Sequence, residues 1–282
     1  MTRTAMDTSI RRLTRSTNMF EFDFMRHAFA AATIVAIVSG FVGYFLVLRG
    51  QSFAGHALGH VGFTGATGAV LLRVAPIWGL VVMTVSAGLG MGALGVRLTQ
   101  RDVAVGIILA LALGVGLLFL HFYTAYATQA TALLFGNVLA VDIETVWTLL
   151  ALGLVTLVSL ALIARPLLFA SLQPELAEAK GISLRRYSML FLALVGLTTA
   201  ECVPIVGVLL VFALMVGPAA AAQQLVTGVL PGLFLAAALA LLEAWVGITL
   251  AFYTDWPSSF WITLLAGVLY LGATFSRRRS TR

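Results

Sequence analysis

Hydrophobic positions along this chain fall into long runs instead of alternating with polar ones. His27–Leu48, Gly50–Leu72, Val74–Val96, Thr145–Ala164 and Trp256–Ser276 contain no Asp, Glu, Lys or Arg, and Val103–Val141 and Cys202–Leu242 are longer still. A helix crosses the hydrocarbon layer with about 20 mainly apolar residues. The runs therefore predict an all-α, polytopic membrane bundle of about nine transmembrane helices. They fall near 26–48, 52–73, 76–96, 102–121, 144–164, 187–201, 204–226, 229–253 and 259–275. Glu201, Cys202 and Pro204 interrupt the sixth and seventh, so eight spans remain the alternative. Phe122–Ala140 is apolar but carries Gly136 and Asn137, and reads as a short interfacial or re-entrant piece. Around the transmembrane domain (26–275) lie an N-terminal tail and lead-in (1–25) and a basic tail (276–282).

Composition agrees with a lipid solvent. Of 282 residues 61% are hydrophobic and 10% charged, against about 25% charged in a soluble domain. The single cysteine, Cys202, excludes an intrachain disulfide and a thiolate cluster. The net charge of +6 comes from arginines at the ends of apolar runs, where the cytoplasmic-loop bias accounts for them. No nucleic-acid partner is expected. Arg165, Lys180, Arg185 and Arg186, with Arg277, Arg278, Arg279 and Arg282, place the 165–186 loop and the C-terminus in the cytoplasm, while Asp142, Glu144, Glu201 and Asp255 mark other loops. Arg49, Arg97 and Arg101 are weaker guides under strict alternation. Nine spans put the N-terminus outside, in conflict with Arg3, Arg11, Arg12 and Arg15; a start at Met19, which opens an amphipathic lead-in, would resolve it. No cleavable signal pattern, long soluble domain or internal repeat is read.

Polar groups inside spans are costly and so are the first candidates for chemistry. His56 and His60 stand at i and i+4 in the second span, on one helix face with Cβ atoms about 5–6 Å apart. Two such imidazoles can hold one divalent ion near mid-membrane, or simply hydrogen-bond across helices. Gly55, Gly59, Gly62, Gly65 and Gly68 let another helix approach closely. The spacing is also that of the HExxH zinc proteases, but the position of the general base is Ala57. Glu243 inside the eighth span, and Glu201 near a boundary, are either on an ion path or structural. In Ser171–Tyr187, Pro174 opens and Gly181 ends a short amphipathic helix with Glu175 and Glu178 in its first turns, suited to a docked cytoplasmic motor. The chain is not that motor. A phosphate-binding loop needs GxxxxGK[ST], and the only lysine, Lys180, follows Ala179.

Six ordered pieces carry a resemblance: FVGYFLVLRGQSFAGHALGHVGFTG, DVAVGIILALALG, LLFGNVLAV, SLQPELAEAKGI, VGVLLVFALMVGPAAAA and YTDWPSSFWITLLAGVLYL. From about Met19 to Phe275 the chain resembles the permease subunits of zinc- and manganese-type ABC importers, proteins of the bacterial inner (plasma) membrane. The resemblance implies a homodimeric or pseudo-dimeric pore set in lipid. It also implies two cytoplasmic ABC ATPase subunits and an extracytoplasmic metal-binding protein. Glu175–Gly181 would be the coupling helix. The family's second-span motif is Asp, three residues, His. His60 takes the His position and His56 stands where Asp is usual, a change that favours zinc over manganese. The implied cargo is a divalent metal ion, with no tightly bound cofactor. Two rivals remain: an ABC permease for a metal chelate with structural histidines, and a proton-coupled secondary metal transporter using Glu201 or Glu243.

Overall fold

A computed structural model of the protein describes residues 19–94, 98–122, 134–208 and 210–280. The N-terminal arginines and the question of a start at Met19 lie outside them. Among the described residues the regular structure is entirely helical: α1 (Asp23–Leu48), α2 (Ser52–Leu71), α3 (Pro76–Leu94), α4 (Leu98–His121), α5 (Ile143–Leu172), α6 (Pro174–Ala179), α7 (Leu184–Val206), α8 (Val211–Leu225), α9 (Val229–Thr254) and α10 (Ser258–Ser280), with short 3-10 turns at Met19–Glu21 and Val138–Ala140. In hydrocarbon every backbone polar group must find its partner within the protein, and a helix does this within one segment.

Among the described residues seven helices, α1, α3, α4, α5, α7, α9 and α10, are long and apolar enough to cross a membrane, against the nine spans expected. The 20-residue α2 has the length, but its glycines and two histidines dilute its apolarity. The 15-residue α8 reaches only about 22 Å at 1.5 Å per residue. The expected break at Glu201–Pro204 is also displaced. Pro204 sits in the last turn of α7, where it costs a single helical hydrogen bond, and the helix ends instead at Gly207, φ +79°. Likewise α5 continues past Arg165 and Pro166 to Leu172, and α10 runs through Arg277 into the expected basic tail.

Two ends of the bundle can be told apart. At one, Arg49 Nη1 donates to Ser171 Oγ at 2.7 Å and its guanidinium lies over Phe191 at 5.5 Å. Arg49 therefore shares an end with the Lys180 loop. At the other end Phe22 meets Phe252 at 6.3 Å, and a cavity of about 510 Å³ is lined by Phe24, Asn137 and Asp255 among others.

Close helix approach is built on glycine. Gly92 on α3 faces Met189 on α7, where an added Cβ would lie 2.5 Å from the Met189 Cα. Gly65 of α2 and Gly79 of α3 face each other through bare backbone, and Gly40 of α1 does the same to Ala237 of α9. α1 and α7 form the centre of the bundle, with α3 and α5 against α7, α9 and α8 against α1, and α4 resting on α2.

Candidate functional site

His56 and His60 lie on successive turns of α2, both half-buried, with ring centroids 4.9 Å apart and planes at 86°. One ion with two bonds of about 2.1 Å can bridge such a gap. Phe212, in the first turn of α8, sets its ring edge-on to His56 at 5.6 Å. Gly59, between the two histidines, faces the Val208 carbonyl, where a Cβ would stand 2.9 Å away. The α7–α8 connection thus lies directly against the histidine turn. Among the described residues no three or more His, Cys, Asp or Glu side chains come together, so Glu243 does not complete a ligand set with the histidines. A single chain offers two imidazoles here.

Glu243 is fully buried on α9 and neither carboxyl oxygen has a hydrogen-bond partner. Glu201, expected near a boundary, is fully buried on α7 and sits within 2.8 Å of the Thr156 hydroxyl of α5. Its neighbour Cys202 shares a 3.0 Å hydrogen bond with Ser39 of α1. Phe212, Thr156 and Ser39 carried no sequence signal, because each meets its partner across tens of residues or more.

The short helix expected at Pro174–Gly181 is α6, with Pro174 in its first turn. Gly181, at φ +81°, ends it: the Gly181 N–H donates to Glu178 O and the Ile182 N–H to Ala177 O, each at 2.9 Å. This paired closure needs a residue that tolerates a left-handed backbone. Pro174, Glu175, Leu176 and Glu178 are exposed and only Ala177 is buried, so α6 forms a ledge at the Arg49 end.

The interfacial piece expected over Phe122–Ala140 is described from Leu134. Gly136, at φ +70°, presses its backbone on Gly207, and the Asn137 N–H donates to the Pro204 carbonyl at 3.2 Å. The segment caps the end of α7. Its non-helical backbone rests against the end of α7 on one side, while Phe135 and Asn137 face the cavity at this end.

The family model described as the ABC 3 transport family matches residues 21–277. The chain belongs to the ABC 3 transport family. Its expected kinship with the permease subunits of metal ABC importers is borne out, and it is a multi-pass integral protein of a bacterial plasma membrane. It is 30% identical over 91% of its length, and 88% of the relative's, to the manganese transport system membrane protein MntC of Halalkalibacterium halodurans. It is 27% identical over 90% of its length, and 91% of the relative's, to the manganese import system permease protein ScaB of Streptococcus parasanguinis. Among solved structures it resembles PsaBC from Streptococcus pneumoniae in complex with Fab, with a TM-score of 0.81, 26% identity and coverage of 90% of this chain and 92% of that one.

Proposed function

We propose that this chain is the permease of an ATP-driven importer whose cargo, a divalent transition-metal ion, passes His56 and His60. The observation that carries this reading is the pair itself: two imidazoles 4.9 Å apart on a glycine-lined helix, in a chain of this family. The relatives' names support manganese as cargo. The imidazole pair supports a second reading, zinc, because nitrogen ligands suit zinc better than manganese. Two ligands per chain make a weak site, as transport requires. A second copy facing the first would raise the set to four imidazoles, and homodimer assembly belongs to the proposal. So does the orientation, with the α6 ledge in the cytoplasm. There Pro174, Glu175, Glu178 and Gly181 would meet an ATPase subunit, and a metal-binding protein would deliver cargo at the opposite end. No tightly bound cofactor is needed.

The test is uptake of radioactive manganese and zinc by vesicles that hold this chain with its ATPase partner. ATP-dependent uptake should fall at least about tenfold in His56→Ala and in His60→Ala, the scale of losing one ligand bond of about 1.4 kcal/mol or more. Unchanged uptake in both variants would remove the histidines from the path.

A further inference from the structure

The path proposed above, past His56 and His60, makes no use of Glu201. Its side chain is fully buried where α7 meets α1 and α5. Oε1 stands 2.8 Å from Thr156 Oγ1, and the same hydroxyl oxygen stands 2.9 Å from the Leu152 carbonyl. A threonine hydroxyl has one hydrogen to give, and a carbonyl can only accept. Both contacts are full two-centre hydrogen bonds at once only if the Glu201 carboxyl donates to Thr156 while Thr156 donates to Leu152; with an ionised carboxyl the single Thr156 hydrogen is shared between two acceptors. The other oxygen, Oε2, has no partner. It lies 3.6 Å from where a Cβ on Gly153 would stand, a spot walled by Val38 and Ile34 methyl groups at 3.1 and 3.2 Å. A bare carboxylate there would be desolvated and unpaired, an arrangement proteins avoid.

No charge stands ready to neutralise it. The ionisable groups of the elements packed on α7 are Asp23, Arg26, His27 and Tyr44 on α1, Asp142, Glu144 and Arg165 on or beside α5, His56 and His60 on α2, Glu175 and Glu178 on α6 with Lys180 at its end, and Tyr270 on α10, whose arginines lie past its apolar run. α7 itself adds Arg185, Arg186 and Tyr187 in its first turn and Cys202 beside Glu201, and α3 and α8 have none. Among the described residues none of them forms an ion pair with Glu201. α7 also connects the α6 ledge to the histidine turn. It follows α6 after a short turn, and it ends in the connection that lies on the histidine turn of α2.

We propose that Glu201 is a proton-binding site, loaded in this conformation and emptied when α7 shifts during the transport cycle. On unloading the O–H bond of the carboxyl breaks with its electron pair left on the carboxylate, and the proton forms a new O–H bond to a water that reaches the site; nothing is oxidised or reduced. Loading is independent of the transport reading; only the cycling rests on it.

The experiment is difference infrared spectroscopy of the complete transporter in lipid nanodiscs at neutral pH, with and without nucleotide trapping, beside manganese and zinc uptake against pH. The expected result is a protonated-carboxyl C=O band that disappears in Glu201→Gln, persists in Glu243→Gln, moves in Thr156→Val and weakens on trapping. Uptake should lose its pH dependence in Glu201→Gln. A spectrum that Glu201→Gln leaves unaltered overturns the site. A band that trapping does not touch, with superimposable pH profiles for wild type and variant, overturns the cycling. Should Glu201→Gln not assemble, the band shift in Thr156→Val decides alone. Wild-type transporter that carries neither metal defeats the proposed function, while the band still reports the proton.

Discussion

Two helices of this bundle invert the usual relation between apolarity and burial. α4 is the most apolar of the seven spanning helices, yet only 17% of its apolar stretch is buried within the protein; α7 is less apolar and 78% buried. α7 holds Ser188, Thr198, Thr199, Glu201 and Cys202 inside, whereas α4 turns Val103, Ile107, Leu111 and Leu117 outward. In water the core is where apolar side chains gather. In lipid the tails outside are as apolar as leucine, so association rests on close packing and hydrogen bonds. Polarity and small size mark the inside here, and bulk apolarity marks the lipid face.

The contrast can be broken at glycine first. Gly92→Leu forces a side chain into the Met189 backbone on α7, and overpacking of this kind costs about 1–3 kcal/mol, occasionally more. A Cβ at Gly106 or Gly114 on α4 meets nothing within 4 Å, so Gly106→Leu and Gly114→Leu should be silent. Thermal unfolding in detergent with size-exclusion recovery should separate the first variant from the other two. If Gly92→Leu survives intact, the α3–α7 contact is looser than described. Next in size is truncation of leucine. Leu149 on α5 is fully buried and Leu111 on α4 is 66% exposed, so Leu149→Ala should lose about 2–5 kcal/mol through the cavity it leaves, and Leu111→Ala no more than about 0.5 kcal/mol. Equal losses, read by denaturant titration in mixed micelles, would mean that α4 is covered in the assembly.

The smallest effect lies at the rim. Hydrogen bonds from Thr145 hold the exposed Asp142 carboxyl below its ordinary range, and the Thr145 N–H reaches Asp142 Oδ1 at 2.9 Å to cap α5. Because the folded value is the lower one, the cap's contribution is present above the ordinary carboxylate range and is lost as pH falls through the lowered value. Asp142→Asn should keep the cap and remove that acid-side dependence from the melting curve.

Much of this was legible because lipid imposes a simple grammar. Runs of about 20 apolar residues located α1, α3, α4 and α9 to within a few residues, and i, i+4 spacing put His56 beside His60. Pro174 and Gly181 delimited α6 by ordinary helix-end chemistry. The reading went astray where a local breaker lost to its surroundings. Pro204, in the last turn of α7, removes one helical hydrogen bond, too little to end a helix that neighbours hold in place, and Arg165, expected to open a loop, lies inside α5. What joins distant parts left no local trace: Thr156 and Glu201 are 45 residues apart, Ser39 and Cys202 are 163 apart. Cargo choice is faint for a different reason: among the described residues only His56 and His60 come together as candidate ligands, and two imidazoles do not define one ion.

Where Gly136 meets Gly207, two stretches of chain touch through peptide units alone, with one N–H···O bond beside them. A contact without side chains has no rotamers to re-sort. The peptide contact itself is worth about one net hydrogen bond, 0.5–1.5 kcal/mol, and the fully buried Val138 next to it carries the segment's apolar anchorage. The same bareness forbids any other residue on either side, so the seam is intolerant of substitution.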